Sequence, residues 1–393
     1  MRRILTCLVA ALLPLALAVP AGAGTGIPTV RPVLETPPLF DDDEGGNHDV
    51  DDPAIWVHPT DRSRSMVLVT AKDGGLYTYT MEAMAFQAFT PPPGGRFNNV
   101  DLFGNIAVVT DRGLDKLRFY RITDGVTDDV TAPDVPWLFS RSEADVATQR
   151  TGYGLAVHGE YAVVTRRHTP ELAIFRIIER DGFYTYTRTD TLTLPSTFRL
   201  RDGTVWTPCL EPGELPQAEG LVVDPVLGRL YIAQEDVALW RIQIDAGKFA
   251  GQPRIVERTR EFGVPAVFNE ETEECDFDWE ADPGEGGRIA SDVEGLTIYR
   301  TGFVSGTLLV SSQGDNTFFT YDRFTNRPLS RFAVQGVQDC DGAAVVSTPL
   351  PGFPHGLLVV HDGDAVEGGS RPSTNVKYVD AGFLRRHHIG PGS

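Results

Sequence analysis

The chain has 393 residues, of which 35 are Lys or Arg and 54 are Asp or Glu, so its formal net charge at pH 7 is −19. A surface of this charge repels nucleic acid and anionic lipid on average, and we expect neither as a partner. Two explanations of the acidity stay open: carboxylates that keep the chain soluble, and carboxylates that bind divalent cations.

Residues 1–23 have the pattern of a secretory signal peptide. Arg2 and Arg3 precede an apolar run over residues 4–19, and residues 21–23 offer a small-residue cleavage site after Ala23. The apolar run is too short for a comfortable membrane span, and no later segment is long and apolar enough for one. We therefore expect a secreted, extracellular protein that does not enter a membrane.

The rest of the chain divides into three parts. Residues 24–45 are rich in Pro, Gly and Thr and end in an acidic run, which is typical of a linker or a loosely held arm. Residues 46–382 form one predicted domain, and residues 383–393 form a C-terminal tail.

One arrangement recurs six times within the predicted domain. An opener with an acidic, Asn or Gly residue starts a short apolar strand, and a hairpin with a polar tip follows. No stretch shows a sustained 3.6-residue apolar period. Six sheet units at a long, irregular period predict an all-β fold, a six-bladed β-propeller. The openers are residues 51–57, 98–103, 152–157, 218–223, 293–298 and 340–345.

Acidic residues lie at or beside the strand ends of most units. Equivalent strand ends of a propeller converge on one end of its central channel, so these carboxylates would crowd into one site. Calcium, which takes six to eight oxygen ligands, is the natural cation for such a site in a secreted protein. The alternative is that Asp–Gly and Glu–Gly pairs are turns that face water. The set is Asp51, Asp52, Asp101, Glu219, Glu235, Asp236, Asp292, Glu294, Asp339 and Asp341.

Cations recur at the hairpin tips of this acidic chain. They suggest an anionic ligand beside bound metal, because the planar fork of Arg matches the geometry of phosphate. The alternative is that each cation forms a salt bridge with a nearby carboxylate. Calcium together with such cations favours phosphate ester hydrolysis. The cations are Lys72, Arg112, Arg166 and Arg167, with Arg96 as a further candidate.

Two uncharged residues and the cysteines leave further alternatives. Tyr153 is either a packed aromatic ring or a phenol that donates to substrate, and Gln313 is either a carbonyl ligand of a metal or a turn residue. Cys209 and Cys275 lie in two long, turn-rich insertions, residues 196–217 and 262–290, so we favour a disulfide between them. Cys340 then remains free.

Several segments together resemble the β-propeller phytases, the alkaline calcium-dependent phytases of bacteria. The resemblance implies a six-bladed propeller that hydrolyses phytate, myo-inositol hexakisphosphate, as a 3-phytase-type phosphomonoesterase. It also implies several calcium ions and direct attack by metal-bound water, without a phosphoenzyme. The matching segments are residues 51–57, 98–101, 219–220, 230–236, 292–299, 311–314 and 339–342.

The resemblance assigns roles to individual residues. The implied catalytic residues are Glu219, Glu235, Asp292, Glu294 and Tyr153. The implied substrate-binding residues are Lys72, Arg112 and Arg167. The implied calcium ligands are Asp51, Asp52, Asp101, Glu219, Glu235, Asp292, Glu294, Gln313 and Asp341.

Two positions depart from the family pattern. Arg167-His168 stands where the bacterial pattern has Lys-Glu, so an acidic partner is missing, and the acidic segment before Asp339 is shortened to residues 334–338. Two other functions stay open: a calcium propeller that hydrolyses lactones or aryl esters, and a non-catalytic binding propeller that calcium stabilises. Nothing in the sequence argues against a monomer.

Overall fold

Six sheets succeed one another along the described part of the chain, which in this computed structural model comprises residues 26–40, 48–123, 126–366 and 371–388. We call them blades 1 to 6. Blade 1 contains Pro53–Trp56, Met66–Thr70, Leu76–Tyr79 and Ala85–Phe89; blade 2 contains Phe97–Phe103, Ile106–Asp111, Lys116–Thr123 and Val126–Asp129; blade 3 contains Gly152–His158, Tyr161–Arg166, Glu171–Arg180 and Phe183–Thr193. Blade 4 contains Leu221–Asp224, Arg229–Gln234, Ala238–Asp245 and Lys248–Arg258; blade 5 contains Val293–Arg300, Gly306–Ser312, Thr317–Asp322 and Pro328–Val334; blade 6 contains Ala343–Val346, Leu357–Asp362 and Ser373–Asp380.

The predicted all-β, six-bladed propeller is confirmed by this arrangement. The first strand of each blade lies against the first strands of its two neighbours, so these six strands surround a central channel. Helical structure is confined to short segments in the described residues: Glu143–Val146 is α-helical, and Arg62–Arg64, Trp279–Ala281, Gln313–Asp315 and Ala381–His388 are 3-10 helices.

The hydrophobic core is divided into clusters that lie between neighbouring blades. Leu230 and Ile232 pack toward blade 3, whereas Tyr231 and Ala233 of the same strand pack toward blade 5. Successive side chains of a strand point to opposite faces, and here both faces are covered. Central strands therefore read as continuous apolar runs rather than as alternating ones.

The N-terminal segment completes the outer edges of two blades. Thr29–Val30 pairs in parallel with Pro328–Val334 of blade 5, while Leu34–Glu35 and Leu39–Phe40 pair with Ser373–Asp380 of blade 6. The last strand of the propeller thus pairs with N-terminal sequence. Residues 26–40 belong to the stretch expected to be a linker or arm, but they are integrated into the sheets because they cover otherwise unpaired strand edges.

The two insertions form short hairpins beside blade 4. One pairs Phe198–Arg199 with Val205–Trp206, and the other pairs Ala266–Asn269 with Glu274–Phe277. The expected disulfide, Cys209–Cys275, joins them across a sequence separation of 66 residues. Cys340 is buried and is a free thiol in the described structure, also as expected.

The chain ends fall partly outside the described residues. The expected signal peptide, residues 1–23, lies outside them altogether. Of the expected C-terminal tail, Phe383 and Leu384 pack against the core between blades 5 and 6. No helix among the described residues has the length and apolar character needed to cross a membrane.

Candidate functional site

Most of the predicted site residues collect at one mouth of the channel. They come from the beginnings of the first strands and from the ends of the second strands, which are adjacent in an antiparallel hairpin. Glu219 lies two residues before the first strand of blade 4, Asp292 directly precedes the first strand of blade 5, and Glu235 and Asp236 directly follow the second strand of blade 4. The fold therefore joins residues that are far apart in sequence.

Three glutamates form the first cluster. One carboxylate oxygen from each of Glu219, Glu235 and Glu294 lies within 4.8 Å of the others, and all three side chains are buried. Burial, reinforced by the neighbouring carboxylates, raises the pKa of each of the three carboxyls. These acids are not turn residues that face water.

A second cluster shares Glu235 with the first. Ligand oxygens of Glu235, Asp236 and Asp292 also lie within 4.8 Å of one another. Asp236 and Asp292 hydrogen-bond each other, and burial raises the pKa of both carboxyls. Asp236 carries no assigned role in the sequence-based ligand set, although its position beside Glu235 in the chain is a signal for it.

Two oxygens of the first cluster lack any protein partner. Glu235 Oε1 and Glu294 Oε2 are buried, and no hydrogen-bond donor within the described residues reaches either of them. A buried carboxylate oxygen without a donor is costly unless a proton or a cation compensates it. An all-oxygen set of buried carboxylates matches the ligand preference of Ca²⁺, so the residues fit a calcium site.

A stack of cations and an aromatic ring lies beside the first cluster. The guanidinium carbons of Arg112 and Arg167 lie 5.7 Å and 5.9 Å from the centre of the Tyr153 ring. The Tyr153 side chain also hydrogen-bonds Glu219, and burial raises the pKa of its phenol. Tyr153 is thus in contact both with two cations and with the acids.

Arg112 is tied to the cluster through an asparagine that the sequence analysis assigned no role. Arg112 donates to Asn98 Oδ1 at 2.6 Å, and Asn98 Nδ2 donates to Glu219 Oε1 at 2.6 Å. The Nε atoms of Arg112 and Arg167 are buried, and no acceptor in the described part of the chain binds them. Each guanidinium group therefore carries an Nε–H that no described residue accepts from.

Lys72 also lies near the first cluster, because its charge acts on Glu219 and Asp51. Its ammonium is paired with Asp49, and the carboxylates of Asp51 and Asp49 raise its pKa despite the opposing effect of burial. Burial and the charge of Glu219 raise the pKa of Asp51. Lys72 and Asp51 therefore share the electrostatic environment of the first cluster.

Asp341 and Gln313 meet at the same mouth. Gln313 Nε2 donates to Asp341 Oδ1 at 2.5 Å, so the amide nitrogen of Gln313 faces this acid. Asp52 accepts from the Val100 backbone N–H at 3.2 Å, and burial raises the pKa of its carboxyl. Asp341 lies near enough to the three glutamates to raise the pKa of Glu219.

Asp101 lies apart, on the wall of the channel. Its carboxylate accepts backbone N–H bonds from Val157 at 2.6 Å and Leu102 at 2.7 Å, and burial raises its pKa to about 6. It belongs to neither of the two clusters. Asp339 is exposed, so the structure does not bring it into the site either.

Three of the five candidate cations are engaged in ion pairs. Arg96 pairs with Asp73 at 2.6 Å, Arg166 pairs with Glu171 at 2.9 Å, and the Lys72 ammonium pairs with Asp49. At these positions the salt-bridge alternative describes the structure.

The departure at His168 is accompanied by an acid from elsewhere in the chain. His168 Nδ1 lies 2.7 Å from Glu214 Oε1, and Glu214 comes from the insertion before blade 4. Glu214 contributes to the raised pKa of Asp236, so its charge reaches the second cluster. Residue spacing alone gives no signal for Glu214, because the contact joins two blades.

The fold and the site define a six-bladed propeller whose channel mouth combines clustered carboxylates with buried guanidinium groups. A sequence model of the family described as Phytase matches residues 2–115 and 261–387, and the chain belongs to this β-propeller phytase family. A 3-phytase of Bacillus subtilis (strain 168) is 27% identical over 381 residues, which cover 90% of this chain and 84% of that protein.

Solved structures with a related chain course are more distant. Regucalcin from Agrobacterium tumefaciens, a calcium-binding protein, aligns with a TM-score of 0.49 and 11% identity over 90% of this chain and 96% of its own. The computationally designed protein Ika8 aligns with a TM-score of 0.36 and 10% identity over 86% of this chain and 73% of its own.

Proposed function

We propose that this protein is a secreted, calcium-dependent phytase that releases phosphate from myo-inositol hexakisphosphate. The observation that carries the proposal is the first cluster, in which Glu235 Oε1 and Glu294 Oε2 are buried and no described residue donates to them. A cation would compensate the buried charge of this cluster. The Arg112–Tyr153–Arg167 stack beside it offers positive charge for an anion. Phytate is an anion that engages both.

The two clusters supply the residues that would hold calcium. Glu219, Glu235 and Glu294 form one set, Glu235, Asp236 and Asp292 form the other, and Glu235 belongs to both. When bound, calcium supplies positive charge that activates water and balances the phosphate oxygens.

The residues of the chain itself then bind and orient the substrate. Arg112 and Arg167 have free Nε donors in the described structure and present planar forks that match phosphate oxygens. Both guanidinium groups lie against the Tyr153 ring. Lys72 adds a positive charge that acts on Glu219 and Asp51. We propose that water attacks phosphorus directly and displaces the inositol oxygen, so that no phosphoenzyme forms.

The finer assignments rest on separate observations. The 3-phytase named among the relatives supports attack at the corresponding position of phytate. The signal-like pattern of residues 1–23 and the Cys209–Cys275 disulfide support secretion into an oxidising compartment. The strong negative charge supports action without nucleic acid or membrane partners. We propose that the protein works as a monomer.

The test is phosphate release from phytate near neutral pH, with calcium and then with a chelator. We expect release that chelation abolishes and added calcium restores. Hydrolysis of a lactone or aryl ester panel without phosphate release would select the esterase alternative. Calcium-dependent melting without turnover of any ester would select the binding propeller.

A further inference from the structure

Gln217 connects two blades immediately beside the clustered acids. It is the last residue of the insertion before the blade 4 opener and is half-buried. Its Nε2 donates to Glu235 Oε2 at 2.8 Å, and its Oε1 accepts from the His168 backbone N–H at 2.7 Å. The Glu235 backbone N–H also donates to the Gln217 carbonyl at 3.3 Å. Gln217 thus ties the tip of blade 3 to the end of the second strand of blade 4.

These bonds leave the two oxygens of Glu235 with different surroundings. Oε2 is anchored by Gln217, while Oε1 is buried and has no hydrogen-bond partner within the described ranges. Glu235 is also the carboxylate that both clusters share. A fixed Oε2 orients the carboxylate plane and leaves Oε1 for a cation, which is how outer hydrogen bonds hold metal ligands in place.

The segment that carries Gln217 is anchored on several sides. We call residues 207–217 the stapled loop, because the Cys209–Cys275 disulfide holds one of its ends. Arg150 donates to the Gly213 carbonyl at 2.9 Å, and Gln234 Nε2 donates to the Pro216 carbonyl at 3.0 Å. Glu214 of the same loop pairs with His168. Gln217 therefore sits on a braced segment rather than on a loose loop.

We propose that Gln217 is a positioning residue for Glu235, and that the stapled loop holds Gln217 in place. This inference rests on the proposed function, in that calcium is the cation that Glu235 receives. Without the Gln217 amide, the Glu235 carboxylate rotates freely, and calcium binding weakens although every ligand is still present.

Two substitutions separate the two hydrogen bonds of the Gln217 side chain. Gln217→Leu removes both the donor to Glu235 and the acceptor for the His168 N–H at a similar size. Gln217→Glu keeps an acceptor for His168 but loses the donor to Glu235. Gln243→Glu is the matched control, because Gln243 is exposed on blade 4 and donates only to the Leu227 carbonyl among the described residues.

The measurements are calorimetric titration with CaCl₂, melting in chelator, and steady-state hydrolysis of phytate. We expect both Gln217 variants to bind calcium about 10- to 100-fold more weakly and to lose kcat by a similar factor, as outer-shell substitutions typically do. Their KM for phytate and their melting temperatures in chelator should stay near those of the unaltered protein. Gln243→Glu should match the unaltered protein throughout.

Three outcomes would overturn the inference. Calcium binding and turnover at unaltered levels in Gln217→Leu would show that the anchor is dispensable. Loss in Gln217→Leu with unaltered behaviour in Gln217→Glu would assign Gln217 to holding the His168 backbone instead. Absence of calcium binding by the unaltered protein would overturn the proposed function and this inference together, and it is the one outcome of the three that involves no variant.

Discussion

Gly220 lies so close to Glu294 that a β-carbon on Gly220 would stand 2.1 Å from the Glu294 carbonyl oxygen. The same contact recurs around the ring, since a β-carbon on Gly154 would stand 1.9 Å from the Glu219 carbonyl oxygen. In both cases a glycine in the opener of one blade leaves room for the backbone of the acidic residue in the opener of the following blade. Glycine is required here for close approach, and the first cluster depends on that approach.

Gly220→Ala should therefore damage the site more than the fold. Glu294 backbone or blade 4 must move to admit the methyl group, and overpacking of this kind costs about 1–3 kcal/mol of unfolding free energy. Displacing Glu219 and Glu294 by about 1 Å should lower phytate hydrolysis by about 100-fold. Urea unfolding and initial rates with saturating calcium measure the two effects.

Gly26→Ala is the control for Gly220→Ala, because a β-carbon on Gly26 meets no described atom within 4 Å. It should leave both stability and rate unchanged. Unaltered activity in Gly220→Ala would show that the ring of close contacts does not set the positions of the acids.

These contacts explain why so much of the site could be predicted from the sequence. The opener pattern repeats because the start of each first strand packs closely against the opener of the next blade at the channel. A glycine in the opener leaves room for this contact, as Gly154 and Gly220 show. The acids of the openers could accordingly be assigned to one mouth. Glu219 and Glu294 are examples, and Asp52 and Asp341, from the openers of blades 1 and 6, lie at the same mouth.

Other parts of the site depend on contacts that no local pattern encodes. Glu214 and Gln217 reach the clusters because the insertion folds back over blade 3, and residue spacing carries no information on that path. Asp101 follows the opener pattern, yet backbone N–H groups of the channel wall bind its carboxylate. The N-terminal strands could not be predicted either, because their Pro-rich composition is that of a linker. They form only because they pair with the edge strands of blades 5 and 6.

Glu294→Gln should reduce the stabilisation by calcium, because it should raise the melting temperature without calcium and lower it with calcium. Without calcium, removing one of three crowded carboxylates relieves repulsion and raises the melting temperature. With calcium, the variant binds the ion less tightly, so the melting temperature in excess calcium falls. The rise in melting temperature between chelator and calcium should therefore shrink markedly, as scanning calorimetry can show.

Glu160→Gln is the matched control for Glu294→Gln. It removes the same charge from a largely exposed ion pair with Arg176, away from the mouth. The calcium-dependent rise should stay as in the unaltered protein. An equal rise in Glu294→Gln would mean that Glu294 is not a ligand of the ion that stabilises the fold.

Two adjacent arginines should respond differently to replacement by lysine. Arg167→Lys loses a planar fork with a free Nε in the described structure, so we expect the KM for phytate to rise about tenfold. Arg166→Lys changes a residue already paired with Glu171 at 2.9 Å, and its KM should stay within about twofold. Steady-state kinetics at fixed calcium compare the two, and equal KM values would remove Arg167 from the substrate site.

A buried ion pair between blades 4 and 5 should govern stability without touching the site. Arg323 Nε and Nη2 donate to the two oxygens of Asp224, each at 2.6 Å, and both side chains are fully buried. Asp224→Asn leaves the guanidinium without its charge partner, and we expect a loss of about 3–5 kcal/mol in unfolding free energy at pH 7. Hydrolysis of phytate by the folded variant should be unchanged.

The pH dependence of that loss follows from the titration of Asp224. Burial acts to raise the pKa of this carboxyl, but the hydrogen bonds and charge of Arg323, together with the backbone N–H groups of Leu227 and Val226, outweigh it and hold the pKa below its ordinary value. The folded state therefore binds fewer protons than the unfolded state near the unfolded pKa of about 3.9, and the pair stabilises the fold fully above that pH. As pH falls through the lower, folded pKa, this stability is lost.

The difference in unfolding free energy between the unaltered protein and Asp224→Asn should thus be constant from pH 7 to about 5 and shrink toward zero in stronger acid. A difference that grows on acidification, measured by urea unfolding across this range, would show that Asp224 is not held ionised by Arg323.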